Sequence, residues 1–272
     1  MVIFPRAKIN VGLNIIRKRD DGYHDIETMF LPVNLCDALE FVPSSNYSAV
    51  DELTLSGLMT GGETADNLVL KAVKILRTRA PFPTLKIHLH KAIPAGSGLG
   101  GGSSDASSML VGINKYFSLG LTCEELADLA LELGSDCPVF ISGTPVLASG
   151  RGEIFERAPA IPAGLKVVII HEAIHISTSE AYRNCKPHIP SVRLSELARR
   201  PISEWKETIK NDFEDYAFSM FPVLGEIKKS LYNAGAVYSS MSGSGSAIYG
   251  LFTGEPKLPQ KIKGKIIYQG PM

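Results

Sequence analysis

The sequence predicts an α+β protein of two domains, and three observations carry that reading. A period-two run near the N-terminus alternates polar and apolar residues, amphipathic helical stretches follow a glycine-rich run, and short strands around a Ser-Gly turn come late in the chain. Between the last two features Pro159, Pro162 and Gly164 cluster as chain breakers, so the expected domains are residues 1–158 and 159–272. A chain of 272 residues is long enough for two modest cores.

Residues 6–15 put Arg6, Lys8, Asn10, Gly12 and Asn14 on one face and Ala7, Ile9, Val11, Leu13 and Ile15 on the other, as a strand does. Asp21-Gly22 offers the positive backbone angles of a tight turn, and residues 23–31 return as an antiparallel strand with Tyr23 and His24 just past that turn. Residues 65–79 carry Leu68, Ala72, Ile75 and Leu76 at helical spacing, with Asp66 at the N-cap. A strand over 85–90 leads into the glycine run, after which Ala106, Met109, Leu110, Ile113 and Phe117 form one face of a helix over 103–117. Thr122-Cys123-Glu124-Glu125 is a capping box, and Leu126, Leu129, Ala130 and Leu133 continue that helix to Gly134. In the second domain, 166–171 reads as an apolar strand and 177–183 and 221–233 as helices, the latter closed by Gly235. Strands over 236–241 and 247–252 flank Ser242-Gly243-Ser244-Gly245-Ser246.

Composition excludes several function classes. Twenty-eight basic residues balance twenty-eight acidic ones, so no overall field draws the chain to nucleic acid or to an anionic membrane, and any bound anion must be held locally. No apolar run approaches membrane-spanning length, and Pro5, Arg6 and Lys8 interrupt what a secretory signal needs, so a cytoplasmic protein is expected. Cys36, Cys123, Cys137 and Cys185 are far apart, which argues for buried free thiols over a zinc site or disulfides.

The strongest local signal is Gly96-Ser97-Gly98-Leu99-Gly100-Gly101-Gly102-Ser103-Ser104. Five glycines in seven positions let backbone N–H groups turn toward an anion, and the helix that follows adds its own unpaired N–H groups and positive dipole end. Ser103 and Ser104 offer hydroxyls to phosphate or metal. The Lys-Ser/Thr ending of Walker A is missing, which argues against an ordinary P-loop NTPase. Gly96, Gly98 and Gly101 also fit G-x-G-x-x-G, but the helix leads into a second helix and not into a parallel strand, which weakens a dinucleotide-binding oxidoreductase. A plain glycine linker is the remaining reading of the run.

Phosphoryl transfer needs positive charge near the transferring group and a residue that orients or deprotonates the acceptor. Lys8, between Arg6 and Asn10 on the polar face of the first strand, and Asp136 are the candidates. From spacing alone Lys8 also fits a solvated strand lysine, and Asp136 the cap of a helix starting near Pro138. Residues 242–246 fit a second anion-binding turn or a hairpin equally well.

Taken together, Pro5-Arg6-Ala7-Lys8-Ile9-Asn10, Asp21-Gly22-Tyr23-His24, Ile93 to Ser108 and Gly134-Ser135-Asp136-Cys137-Pro138-Val139-Phe140, with the late Ser-Gly-Ser-Gly-Ser, resemble the GHMP kinase superfamily of galactokinase, homoserine kinase and mevalonate kinase. The blocks are most similar to the branch that phosphorylates a cytidylylated methylerythritol on the non-mevalonate route to isoprenoids. That resemblance implies a two-domain fold, with an N-terminal domain like the second domain of ribosomal protein S5 and a C-terminal α+β domain with an antiparallel sheet. It implies transfer of the ATP γ-phosphate to the 2-hydroxyl, with Mg2+ held by groups the resemblance does not name. Lys8 and Asp136 match the catalytic pair. Pro94, Ala95, Gly96, Ser97, Gly98, Leu99, Gly100, Gly101, Gly102, Ser103 and Ser104 match the ATP loop. Tyr23, His24 and Lys91 would hold the cytidine, Tyr182 would pack near the base, and Asn10 would sit beside the reacting hydroxyl. The chain departs from the pattern at Arg6, where a small residue is usual, and at Ser107-Ser108, which replace an alanine-rich helix start. A homoserine- or mevalonate-type kinase and a non-catalytic nucleotide-binding protein are the alternatives.

Overall fold

The computed structural model describes residues 1–44, 50–59 and 64–272. In chain order the strands are β1 (Val2–Ile3), β2 (Arg6–Lys18), β3 (His24–Cys36), β4 (Ala38–Pro43), β5 (Glu52–Gly57), β6 (Leu85–Lys91), β7 (Val146–Ser149), β8 (Ile154–Arg157), β9 (Lys166–Ile170), β10 (Tyr238–Met241), β11 (Ile248–Phe252) and β12 (Ile266–Pro271). The helices are α1 (Leu68–Arg77), α2 (Gly101–Tyr116), α3 (Cys123–Leu133), α4 (Val139–Ser142), α5 (Thr178–Asn184), α6 (Leu194–Leu197), α7 (Ile202–Thr208), α8 (Glu214–Met220), α9 (Pro222–Asn233) and α10 (Gln260–Lys263). They fall into two compact units, one of Met1–Ala7, Leu35–Ala95 and Gly100–Thr144, the other of Lys8–Asn34, Gly96–Leu99 and Pro145–Met272. The boundary expected at 158/159 lies inside the second unit, between β8 and β9.

In the first unit a sheet of order β1-β4-β6-β5 is antiparallel except for the parallel β5–β6 pair. Strand β6 alternates strictly, burying Leu85, Ile87, Leu89 and Lys91 and exposing Lys86, His88 and His90. Its apolar face meets Val69, Val73 and Leu76 of α1, Met109, Leu110 and Ile113 of α2, and Leu126 and Leu129 of α3. The capping box of α3 is present in both directions, with Thr122 Oγ1 accepting from Glu125 N and Glu125 Oε2 accepting from Thr122 N. Two caps differ from expectation. Asn67, not Asp66, caps α1 by accepting from Val69 N at 2.9 Å, because Asp66 ends a preceding 3-10 turn. Helix α2 starts at Gly101, two residues early, with Gly100 as N-cap at φ 73°, an angle that glycine adopts without strain. Because α2 leads into α3 and then α4, no parallel βαβ unit follows the glycine run, and the dinucleotide-binding alternative is overturned.

In the second unit the sheets are β2-β3-β7-β8 and β10-β11-β9-β12. Strands β2 and β3 are neighbours joined by only five residues, too short for a parallel crossover, and the Gly22 turn sits at φ 86° as expected. Strand β3 pairs with β7 only through Thr28, Met29 and Phe30, so it runs on through Pro32 beyond that ladder. Strand β9 lies between β11 and β12 and buries Val167, Val168, Ile169 and Ile170, a continuous apolar run that fits a central strand. Leu13, Ile15, Val168, Ile170, Phe213, Leu224, Ile227, Leu231, Ile248 and Phe252 form this unit's core. Residues 242–247 join β10 and β11, which pair antiparallel, so the hairpin reading of that Ser-Gly turn holds. The cysteines are free, but Cys123 is exposed and Cys36 and Cys185 are half-buried, so only Cys137 meets the expectation of burial.

Candidate active site

In the second unit, two residues on the polar face of β2 are dry. Lys8 is 3% and Asn10 2% exposed, which rules out a solvated strand lysine. The Lys8 ammonium donates to Asn10 Oδ1 at 2.6 Å and to Gly98 O at 3.0 Å, and lies 5.1 Å from the centre of the Phe30 ring. Asn10 is oriented in turn: its Nδ2 donates to Thr28 Oγ1 at 2.9 Å, and Thr28 donates to Gly12 O at 2.6 Å. The Asn10 backbone is pinned on both sides, donating to Ser242 Oγ and accepting from Tyr249 Oη at 2.6 Å. A buried cation keeps a strong local field, because little water screens it.

The leading part of the glycine run, Gly96–Leu99, lies in the same unit and rests on the β10–β11 turn. Gly98 O accepts from Ser242 Oγ at 2.9 Å, Ser97 O accepts from Ala247 N, and Leu99 O accepts from Lys8 N. Asn211 Nδ2 fixes the turn by donating to Met241 O and Gly243 O, both at 2.8 Å. The Ser-Gly turn therefore supports the backbone of the glycine run.

In the first unit the trailing part of the run forms the opening turn of α2. Gly102 is exposed and Ser103 half-buried there, so both face outward to different degrees. Ser104 does not match its expected role as a phosphate ligand. It is 1% exposed and its hydroxyl donates to Arg6 O at 2.7 Å, because its position on α2 faces the interior. Asp136 lies half-buried in the turn after α3. The helix-cap reading fails for it, since α4 begins at Val139 with Pro138 as N-cap and no side-chain capping bond. That turn is held by Cys137 N donating to Gly134 O and by Ser107 Oγ donating to Cys137 O at 2.7 Å. Ser107, read from sequence as a departure at the helix start, thus anchors the backbone next to Asp136.

Lys91 is also corrected. Its side chain is 3% exposed and its ammonium donates to Asp37 Oδ2 and, at 2.6 Å, to Asp105 Oδ2, so it is committed to two buried carboxylates and not presented as the cytidine contact the resemblance implies. Burial pushes the Asp105 carboxyl up to about 7, with Lys91 opposing that shift and Asp37 adding to it. The folded chain therefore keeps a proton on Asp105 that the unfolded chain releases above its ordinary value of 3.8. Stability relative to Asp105→Asn is expected to be full at acid pH, to fall as pH rises from about 4 to about 7, and then to level off. Thermal unfolding of both proteins at pH 5 and pH 8 measures this, and a difference that grows with pH contradicts it.

The second unit also gathers aromatic residues. The rings of His24 and Tyr182 stack with centroids 4.7 Å apart and 18° between planes, and Tyr182 meets Phe213 edge-on at 4.9 Å. Tyr23 is exposed, with the Arg151 guanidinium 4.9 Å from its ring centre. Burial lowers the His24 pKa, with the Lys18 charge adding to that, so its imidazole is neutral near pH 7. The sequence placed His24 beyond a turn and Tyr182 on a distant helix, and the fold stacks one on the other.

The family model for the GHMP kinases N terminal domain matches residues 67–144, and that for the GHMP kinases C terminal matches 194–265. The chain belongs to the GHMP kinase family. This GHMP kinase is 47% identical to a 4-diphosphocytidyl-2-C-methyl-D-erythritol kinase of Bacteroides thetaiotaomicron over 98% of each chain. It is 46% identical to the enzyme of the same name from Porphyromonas gingivalis, over 95% of this chain and 94% of that one. A crystal structure of 4-(cytidine 5'-diphospho)-2C-methyl-D-erythritol kinase superposes with a TM-score of 0.78 and 31% identity, covering 92% of this chain and 90% of the other. The α+β class with largely antiparallel sheets is thus the GHMP kinase fold.

Several residues around this GHMP kinase site carried no sequence signal. Thr28 and Phe30 sit in an ordinary alternating strand, and Asn211 and Tyr249 are far along the chain from Asn10. His175 also escaped notice, although a Cβ on Gly96 would come within 3.1 Å of its Nδ1. The Ser-Gly turn was visible as a motif, but its packing on Gly98 was not.

Proposed function

We propose that this GHMP kinase transfers the γ-phosphate of ATP to the 2-hydroxyl of 4-diphosphocytidyl-2-C-methyl-D-erythritol, giving the 2-phosphate and ADP in the methylerythritol phosphate route to isoprenoid precursors. The observation that carries this is the 47% identity, across 98% of both chains, to a kinase of that name. Residues 1–158 would form the N-terminal kinase domain with the glycine run and 159–272 the C-terminal one; the family models at 67–144 and 194–265 support that division. The location is cytoplasmic on this reading. Among the described residues no helix is long and apolar enough to cross a membrane.

Lys8 supplies the positive charge. Its ammonium is buried and donates to Asn10 Oδ1 and Gly98 O, so it stabilises negative charge developing on the acceptor hydroxyl or the phosphoryl group more strongly than a hydrated lysine does. Asn10, braced by Thr28, Ser242 and Tyr249, positions that hydroxyl. Asp136 orients it or takes its proton. Backbone amides of Pro94-to-Ser103, Pro94 itself excepted, receive the phosphates together with the opening turn of α2. Tyr23, His24 and Tyr182 offer aromatic faces and a neutral imidazole to the cytidine.

Mg2+ neutralises phosphate charge when bound. Among the described residues no group of three or more His, Cys, Asp or Glu could hold a metal alone, so the ion would depend on the nucleotide's phosphates together with protein oxygens. The Ser103 hydroxyl is the protein oxygen this reading offers to it.

The test is to incubate the purified protein with ATP and Mg2+ and, separately, 4-diphosphocytidyl-2-C-methyl-D-erythritol, mevalonate, homoserine and galactose, following ADP release and product mass. Phosphorylation of the cytidylylated compound alone is expected. Turnover of a different substrate would keep the kinase and remove Tyr23, His24 and Tyr182 from the site.

A further inference from the structure

The first unit contains a buried ionic cluster that the proposed chemistry does not use. Asp37 is 0%, Lys91 4% and Asp105 2% exposed. Asp37 lies between β3 and β4, Lys91 ends β6, and Asp105 is in the second turn of α2. Their hydrogen bonds form a chain. Asp37 Oδ1 accepts from the backbone N–H of Ala92 at 2.6 Å and of Ile93 at 2.8 Å, the two residues before Pro94. Asp37 Oδ2 accepts from Lys91, and the same ammonium donates to Asp105 Oδ2 at 2.6 Å. Asp37 is itself anchored, its N–H donating to Pro5 O at 3.0 Å.

We propose that Asp37, Lys91 and Asp105 are positioning residues that clamp the two ends of the glycine run, setting the spacing of the amides that receive phosphate. The backbone leading into the run is gripped by Asp37, the helix leaving it by Asp105, and Lys91 links the two. Gly101 shows how close the two ends approach, since a Cβ there would lie 2.9 Å from Ile93 Cγ2 and 3.2 Å from Lys91 Nζ. A structural role alone does not call for charges here. Buried ion clusters seldom stabilise a fold more than apolar side chains of the same volume, because desolvation offsets their attraction, whereas their directional bonds fix one geometry.

The state of Asp105 agrees with this arrangement. Its Oδ1 has no hydrogen-bond partner, an arrangement that is costly for an ionised carboxylate. The charged groups facing it are Lys91 from β6 and Asp37 from the β3–β4 junction. With a proton on Asp105, the cluster is one cation and one anion joined by a neutral acid, and carries no net charge.

The phosphate part of this proposal rests on the ATP reading above, so the experiment reads the clamp and the nucleotide separately. Amide hydrogen exchange of the full chain without nucleotide, at one fixed pH, would compare the native protein with Asp105→Ala and Asp105→Asn. Asp105→Ala is expected to speed exchange over residues 92–104 by about tenfold or more and to leave β10 and β11 unchanged, while Asp105→Asn, which keeps a carbonyl oxygen for Lys91, restores most of the protection. In kinetics, Asp105→Ala is expected to raise KM for ATP about tenfold, the equivalent of one lost charge-assisted hydrogen bond, with a smaller change in kcat and in KM for the acceptor. Unchanged exchange over 92–104, or equal acceleration in β10 and β11, overturns the clamp whether or not ATP binds. A native protein with a protected run and no affinity for ATP overturns the nucleotide reading and leaves the clamp to the exchange result.

Discussion

Asp136→Asn is expected to keep the fold and nucleotide binding and to lower turnover by about 100-fold or more, the usual contribution of a group that orients or deprotonates an acceptor. Asparagine matches aspartate in volume and can still accept a hydrogen bond, so what is lost is the charge and the basicity. The surrounding turn has ties that do not involve that charge. Its backbone is tied by Cys137 N to Gly134 O and by Ser107 Oγ to Cys137 O, and Asp136 caps no helix. Steady-state kinetics with the cytidylylated acceptor, beside titration with a fluorescent ATP analogue, separates the two effects. Turnover within a few-fold of the native protein would remove Asp136 from the chemistry. Weakened nucleotide binding at unchanged turnover would instead place it among the phosphate or Mg2+ contacts.

Gly98→Ala is expected to be the most damaging small substitution in the glycine run. Gly98 sits at φ 80°, and a Cβ built there falls 1.9 Å from Ser242 O and 3.2 Å from Gly245 N. The left-handed backbone costs about 1–2 kcal/mol and the overlap about 1–3 kcal/mol more, unless the β10–β11 turn moves away. Moving that turn breaks the bond from Ser242 Oγ to Gly98 O, and shifting Gly98 instead breaks the bond from Lys8 Nζ, by which the damage reaches the proposed cation. The melting temperature should fall by on the order of 10 °C and turnover should fall with it. Gly120→Ala is the control, for Gly120 also has positive φ, 77°, but nothing lies within 4 Å of the added carbon. Equal losses in the two variants would mean that backbone strain alone explains the effect and that the Ser242 contact carries none of it.

Much of the local structure was legible because it depends on near neighbours. The capping box at Thr122, the turn at Asp21-Gly22 and the helix after the glycines follow from hydrogen bonds and periodicities within a few residues. Errors at that level were small shifts, such as Asn67 capping in place of Asp66, where two adjacent polar residues competed for one cap. Lys91 is the more instructive case. A motif match placed it on the cytidine, but the ammonium's partners come from Asp37 and Asp105, 54 and 14 residues away, and no spacing rule reports such a bond.

By itself the sequence determined the α+β class, the position of the glycine run ahead of a helix, and the family, because these rest on short-range periodicity and on contiguous motifs. Only the tertiary structure decided which polar residues are dry. It buried Lys8 against Gly98, turned Ser104 toward Arg6, stacked His24 on Tyr182, and set the Ser-Gly turn beneath the glycine backbone. The reason is physical. The desolvation and the distant hydrogen bonds that convert a surface-type residue into a functional one belong to segments brought together by packing, and their sequence separation carries no trace of it.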